Sequence, residues 1–189
     1  MPALPWALLP GARDFSAVYD EHVWHVYGFF AYRLRSRADA EDLTQQTFER
    51  ALRSWSRYDP AKASVGTWLI VIARNLLVDH HRADRSSRRQ PLDDLAGGHD
   101  ALVDHAAADP DLGLEPELER ALASLNGRER EIIALRFGGE LSGPEIAAAT
   151  GLSLATVQQI LSRSLRRMRA EIEDAEPVRI DIEDGGASR

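Results

Sequence analysis

The sequence predicts an all-α protein of two small helical domains joined by a flexible acidic linker. Three observations lead there. Apolar residues recur at helical spacing through most of the chain. No stretch alternates with period two for long enough to build a sheet. One segment between Pro91 and Pro116, rich in Asp and Ala and punctuated by Gly97, Gly98, Pro110 and Gly113, loses the periodicity altogether. A chain of 189 residues has room for one ordinary domain or two small ones. The boundaries read as a tail over 1–13, a first domain over 14–90, a linker over 91–114, a second domain over 115–174 and a tail over 175–189.

In the first domain Phe15, Val18, Tyr19, His22, Val23, Val26, Tyr27 and Phe30 share one helix face, and Leu43, Thr47, Phe48, Ala51, Leu52 and Trp55 share another. Asp39 is the expected cap of the second helix, with Glu41 and Asp42 placed where a helix N-terminus favours anions. Tyr58 to Gly66 contains Pro60 and Gly66 and reads as a loop, and a third helix runs from about Thr67 into basic residues near Arg82.

In the second domain Asn126 stands three residues before Glu129, and Ser142 three before Glu145, each a capping-box arrangement at a helix start. Ala147, Gly151 and Val157 then follow at the spacing of a helix-turn-helix: a small residue where two helices cross, a glycine in the turn and a buried anchor beyond it. Ser153 can cap the last helix. Its pattern buries Leu154, Val157, Ile160, Leu161, Leu165 and Met168, and exposes Thr156, Gln158, Gln159, Ser162, Arg163 and Arg166. Gln bonds adenine bidentately and Arg bonds guanine or phosphate, so this row suits a major groove.

Charge supports a nucleic-acid reading once it is divided by segment. The net charge is -7, but residues 14–92 carry 12 basic and 10 acidic groups, 93–119 none and nine, and 120–174 eight and seven. The acid is therefore concentrated between two near-neutral blocks. Of 23 basic residues only Lys62 is a lysine, and arginine's planar fork favours phosphates and guanine edges. The spacer, with an r.m.s. span of about 25–30 Å, is long enough to fold over a basic patch or to thread along a basic channel of a partner.

Several function classes lose their equipment. Without cysteine there are no disulfides, thiolate metal sites or Cys nucleophiles. The longest internal apolar run, Trp68 to Ala73, is far too short to cross a bilayer, and Met1 to Gly11 lacks the positive flank of a secretory signal, so a cytoplasmic chain is expected. Asp79-His80-His81 continues an apolar-faced helix without the further ligands of a metal phosphoesterase, and His22 and His25 have no acidic or Cys partners at ligand spacing. No catalytic residue, metal site or cofactor is predicted. Trp68 is either a core residue or an aromatic platform for an unstacked base.

Asp39-Ala40-Glu41-Asp42-Leu43-Thr44-Gln45-Gln46-Thr47-Phe48, then Thr67-Trp68-Leu69 with Ile72-Ala73-Arg74-Asn75-Leu76 and Asp79, then the helix-turn-helix ending at Val157, resemble bacterial extracytoplasmic-function sigma factors of RNA polymerase. The resemblance covers roughly residues 14–90 and 115–172, as sigma regions 2 and 4. It implies a non-enzymatic chain that binds core RNA polymerase through its clamp helices and flap, directs it to promoter DNA and helps open the duplex. It further implies that Asp42, Gln45, Gln46, Phe48 and Leu52 contact the polymerase. Lys62, Ala63, Ser64, Val65, Trp68, Arg74, Asn75, Asp79 and Arg82 would meet the element near −10, and the exposed row from Thr156 to Arg166 the element near −35. An anti-sigma factor is a further partner that the resemblance allows. The alternative is a stand-alone helix-turn-helix regulator whose first domain dimerises or senses a ligand.

Overall fold

The structure, a computed structural model, describes residues 12–87 and 113–174, with side chains over 15–83 and 113–174. The spacer at 91–112 and the two tails lie outside the described residues, and so do the readings attached to them. Seven α-helices and no strand are present among the described residues.

Helices α1 (Ala12–Ala31) and α2 (Arg37–Ser54) form an antiparallel pair, and a single 3-10 turn follows at Trp55–Arg57. The cap of α2 is Ser36, whose hydroxyl accepts from the Asp39 amide at 3.2 Å, not Asp39 itself. Asp39 lies in the first turn instead, where its charge faces the positive helix end. The polar residues Thr44 and Thr47 are buried without penalty because each hydroxyl donates to a carbonyl one turn back, Ala40 and Leu43, at 2.7 Å. Phe15 packs edge-on against Phe48 and Trp55, and Trp55 stacks in turn on Tyr58, which leans on Trp68. Trp68 is thus half-buried in an aromatic cluster.

Helix α3 (Val65–Ser87) begins two residues earlier than its pattern predicts, because Ser64 supplies the cap by accepting from the Thr67 amide at 3.2 Å. Helices α4 (Pro116–Ala123) and α5 (Gly127–Ile133) follow the spacer, and the Asn126–Glu129 capping box at the start of α5 is formed. A π-helical turn, Ala134–Gly138, leads through Glu140, in the left-handed region at φ 55°, into α6 (Gly143–Thr150) with its Ser142–Glu145 capping box. Gly151 ends α6 at φ 72°, a conformation costly for any side chain, and Ser153 opens α7 (Leu154–Glu173). The predicted burial of α7 holds for Val157 and Met168, but Leu154 and Leu165 are 40% and 43% exposed. Among the described residues they are only partly covered, Leu154 by the start of α6 at Gly143.

The two blocks share a core, although the second also keeps a smaller cluster of its own, Ala121, Leu122, Leu125, Ile133 and Met168. Phe29, Phe30, Leu69 and Ile70 of the first belong to one continuous apolar cluster with Ile132, Leu135, Leu141, Ile146 and Val157 of the second. Helical units of roughly 60–75 residues alone bury only about 60% of the surface their unfolded chains expose, and each large apolar side chain sealed here contributes about 1.5–3 kcal/mol. The blocks meet most closely where α1 crosses the π-helical turn. A Cβ on Gly138 would lie 2.6 Å from the carbonyl of Gly28, so backbone touches backbone.

Candidate nucleic-acid interface

Three groups of residues were expected to bind polymerase or DNA, and the fold treats each differently. On α2, Asp42 and Gln45 are exposed and Gln46 is half-exposed. Gln46 donates to Asp42 at 2.6 Å and Gln45 donates to Glu49 at 3.1 Å, one helical turn apart in each case. These pairs hold the amides in an ordered polar row. Phe48 is not on that row: it is 3% exposed, with Tyr19 edge-on at 4.7 Å and Phe15 at 6.3 Å. It anchors the back of the helix, while Leu52 is half-buried against the same core.

The α3 group is divided between two faces. Asn75, Asp79 and Arg82, spaced four and three apart, form an outward row, with Asp79 3.6 Å from Arg50. Lys62 is exposed in the preceding loop, 3.7 Å from Asp59. Ala63 accepts from the Tyr58 hydroxyl at 3.0 Å, and Val65 is half-buried. Ser64 and Arg74 instead face the second block. Arg74 is 21% exposed, and its Nε lies 2.7 Å from the buried carboxylate of Glu131.

The α7 group stays together. Gln158, Gln159, Ser162, Arg163 and Arg166 are all exposed, opposite the buried Val157, Ser164 and Met168. Thr156 is half-buried at the cap, its amide donating to Ser153 at 3.1 Å. Among the described residues no carboxylate pairs with Arg163 or Arg166, whereas Arg167 is committed to Glu129 at 2.6 Å. The cap fixes where this helix starts and Val157 and Met168 anchor its inner face, so the row projects as one surface.

Sequence reading missed the residues that join the blocks. Arg33 is buried and donates to the Gly127 carbonyl at 2.9 Å; burial lowers its pKa, and Glu131 opposes that shift. Next to it Arg130 donates through two nitrogens to the Leu122 carbonyl of its own block, and burial, with Arg33 and Arg35 of the first block nearby, lowers its pKa to about 10. Glu145 is legible only as a capping-box residue. Its Oε2 takes the Ser142 amide and hydroxyl at 2.9 and 2.6 Å, but Oε1 reaches across to the Thr67 hydroxyl at 2.5 Å and to Ser64 at 3.3 Å. Hydrogen bonds from Ser142 and then Thr67 bring its pKa down to about 2, against the opposing effect of burial. No local pattern announces the second oxygen's partners, since they lie 78 and 81 residues away.

Residues 18–87 match the family model for Sigma-70 region 2, and residues 121–170 that for Sigma-70, region 4. The ECF RNA polymerase sigma factor RpoE of Cereibacter sphaeroides is 31% identical, over 86% of this chain and 92% of its own length. The ECF sigma factor SigC of Mycobacterium tuberculosis is 36% identical over 80% of this chain and 78% of its own. BldN of Streptomyces coelicolor is 30% identical, and the chain spans 62% of its length. Two solved structures share the fold. The sigma factor RpoE of Bartonella quintana, in complex with the anti-sigma factor NepR, aligns with a TM-score of 0.65 at 20% identity, over 87% of this chain and 99% of the other. CnrH, in complex with the cytosolic domain of CnrY, aligns at 0.59 and 22%, over 87% and 90%. With both sigma regions in order along one helical chain, and relatives matched over most of their length, the protein belongs to the ECF RNA polymerase sigma factors.

Proposed function

We propose that this sigma factor docks on core RNA polymerase through the outward row of α2, Asp42, Gln45 and Gln46, with Phe48 and Leu52 holding that helix from behind. The loop around Lys62 and the row Asn75, Asp79 and Arg82 meet the −10 element, while Gln158, Gln159, Ser162, Arg163 and Arg166 read the −35 element. The two readers act as units near 14–90 and 115–174, tethered by the acidic spacer. The chain acts by binding alone and in the cytoplasm, where its polymerase and promoters are. No described helix is long and apolar enough to cross a membrane. An anti-sigma factor is a natural further partner, since the two solved relatives are each held by one or by the cytosolic domain of a companion protein.

The observation that carries this reading is the acid-free row on α7 behind the Gly151 turn: five exposed donors and acceptors with no competing carboxylate among the described residues. Such a surface offers base contacts and phosphate contacts together. Transcription from a promoter library with core polymerase tests it. Promoter-specific transcripts that require this chain are expected. Tight, sequence-specific binding of duplex DNA by the chain alone, with no transcript when core polymerase is added, would support the stand-alone regulator instead.

A further inference from the structure

We propose that the chain carries a binding site for a small phosphate-type oxyanion, in the cleft where the end of α1 meets α4 and α5, with Arg130 on its buried side and Arg120 at its exposed rim. The site lies apart from the rows assigned to polymerase and promoter DNA, and neither assignment requires it. The cleft holds a cavity of about 180 Å³. Arg35, Arg120 and Arg130 line it with a single acid, Glu119, and the rest of its wall is apolar apart from Tyr32. Burial raises the pKa of the Tyr32 phenol, which keeps its O–H as a donor at neutral pH.

Charge at this cleft is not balanced by the protein. Arg130 is 5% exposed and its neighbour Arg33 is 7% exposed. Each is held by a backbone carbonyl, that of Leu122 or of Gly127, and among the described residues neither forms an ion pair with a carboxylate. A carbonyl satisfies an N–H but does not cancel a positive charge, and a buried charge left uncancelled is strongly unfavourable. The Nε of Arg33 is buried without any partner. Nearby acids are engaged elsewhere: Glu129 holds Arg167 at 2.6 Å, and Glu131 takes Arg74 and Arg128 at 2.7 and 3.0 Å. Glu119 lines the cavity but pairs with no described arginine. The C-terminal end of α4, where Leu122 lies, supplies a dipole equivalent to about half a negative charge, too little to offset two buried guanidinium groups. Burial, then the fields of Arg33 and Arg35, bring the pKa of Arg130 down to about 10, so it stays charged at neutral pH and is crowded by other cations.

An oxyanion supplies what is missing. Guanidinium forks bond phosphate oxygens bidentately, and a phosphate concentrates more charge in a small volume than a carboxylate does. Size limits the ligand. The cavity has room for about six waters at roughly 30 Å³ each and falls below the roughly 300–1,000 Å³ of sites that enclose a drug-sized molecule. It admits a phosphate or a diphosphate, and a nucleoside attached to one would stay outside. A duplex backbone is a poor match, because Arg130 is too deeply buried for a rigid strand to reach.

Calorimetric titration of the full chain with magnesium-free pyrophosphate, at physiological ionic strength, tests the site. One anion per chain is expected, bound about tenfold more tightly than sulfate, since two linked phosphates meet more than one arginine. Arg120→Gln, at the exposed rim, should weaken binding about threefold, and Glu119→Gln, which removes the opposing acid, should tighten it about twofold. Arg53→Gln, an exposed arginine of α2, should leave it unchanged. Arg130→Gln should abolish it; should that variant lose its helical circular dichroism, the Arg120 and Glu119 variants decide. ATP separates the sources: tighter binding than pyrophosphate assigns the site to the phosphates of a nucleotide, weaker binding to a free polyphosphate. No saturable pyrophosphate binding by the folded chain overturns the proposal. So does binding that Arg120→Gln and Glu119→Gln leave unaltered, or full displacement of pyrophosphate by a mixed-sequence DNA duplex, which would make these arginines part of the nucleic-acid surface.

Discussion

Helices α3 and α7 begin on the same four-residue device and meet different fates. In each a serine caps the helix and a threonine follows three residues later: Ser64 accepts from the Thr67 amide at 3.2 Å and Ser153 from the Thr156 amide at 3.1 Å. In each the two hydroxyls lie 2.8 Å apart. Yet Thr67 is buried and donates to Glu145, while Thr156 is half-buried and its row opens to solvent. Capping is a local event that four residues can specify. What sits against the cap depends on the rest of the chain, and here a carboxylate of one promoter reader occupies the cap of the other.

The largest test of this contrast removes the common core. Ile70, on α3, is buried against Gly139 beyond the π-helical turn. Ile70→Ala should cost about 2–5 kcal/mol, read by urea denaturation as a single shifted transition for both blocks. Two separate transitions, or a loss below about 1 kcal/mol, would mean that the blocks fold independently and that the contrast between α3 and α7 is not maintained by packing. Arg74→Ala should cost less, about 1.5–3 kcal/mol, because Glu131 keeps Arg128 as a partner. The same change on α7, Arg166→Ala, should leave stability unaltered and lower the salt slope of promoter binding by about one unit, since that arginine faces solvent.

Gln159→Ala sharpens the comparison on the DNA side: it should relax preference at a single base pair by about 1–3 kcal/mol in competition binding by the holoenzyme. Losses spread evenly over all sequences would make Gln159 a backbone contact. The caps themselves come next. Ser64→Ala and Ser153→Ala should each cost about 1 kcal/mol, with Ser64→Ala the larger because it also removes a donor to Glu145. Equal costs would show that the Glu145 contact adds nothing to the cap.

The pH dependence tests the same contact through its charge. Glu145 has a folded pKa of about 2 against an ordinary 4.5, so its contribution is fully present above pH 4.5 and is lost as pH falls toward 2. The stability difference between the parent chain and Glu145→Gln should therefore be constant near neutrality and shrink below pH 4.5. A difference that grows on acidification would reverse the sign and exclude the carboxylate as the stabilising form.

Much of the candidate site was legible from local pattern. The helix-turn-helix, its glycine turn and both capping boxes follow from residues three to six apart, and the exposed row of α7 from helical spacing. The errors share one cause. Leu154 and Leu165 fit the buried spacing but are only partly covered by the described residues, while Phe48 fits a contact helix but faces the α1 aromatics. Ser36 caps α2 because its backbone is extended at that point, at ψ 122°, which a motif centred on Asp39 does not reveal.

Sequence alone determined that the chain is helical, where α5, α6 and α7 begin, that Gln158, Gln159, Ser162, Arg163 and Arg166 face outward, and which family it belongs to. These are properties of neighbours within a turn or two, where capping, periodicity and side-chain chemistry act over a few ångströms. Only the tertiary structure decided that the two halves share a core, that Gly28 and Gly138 touch, and that Arg74 and Thr67 spend their hydrogen bonds on Glu131 and Glu145. Those pairings join residues 57 to 110 positions apart, and they follow from apolar faces too small to be sealed within either half.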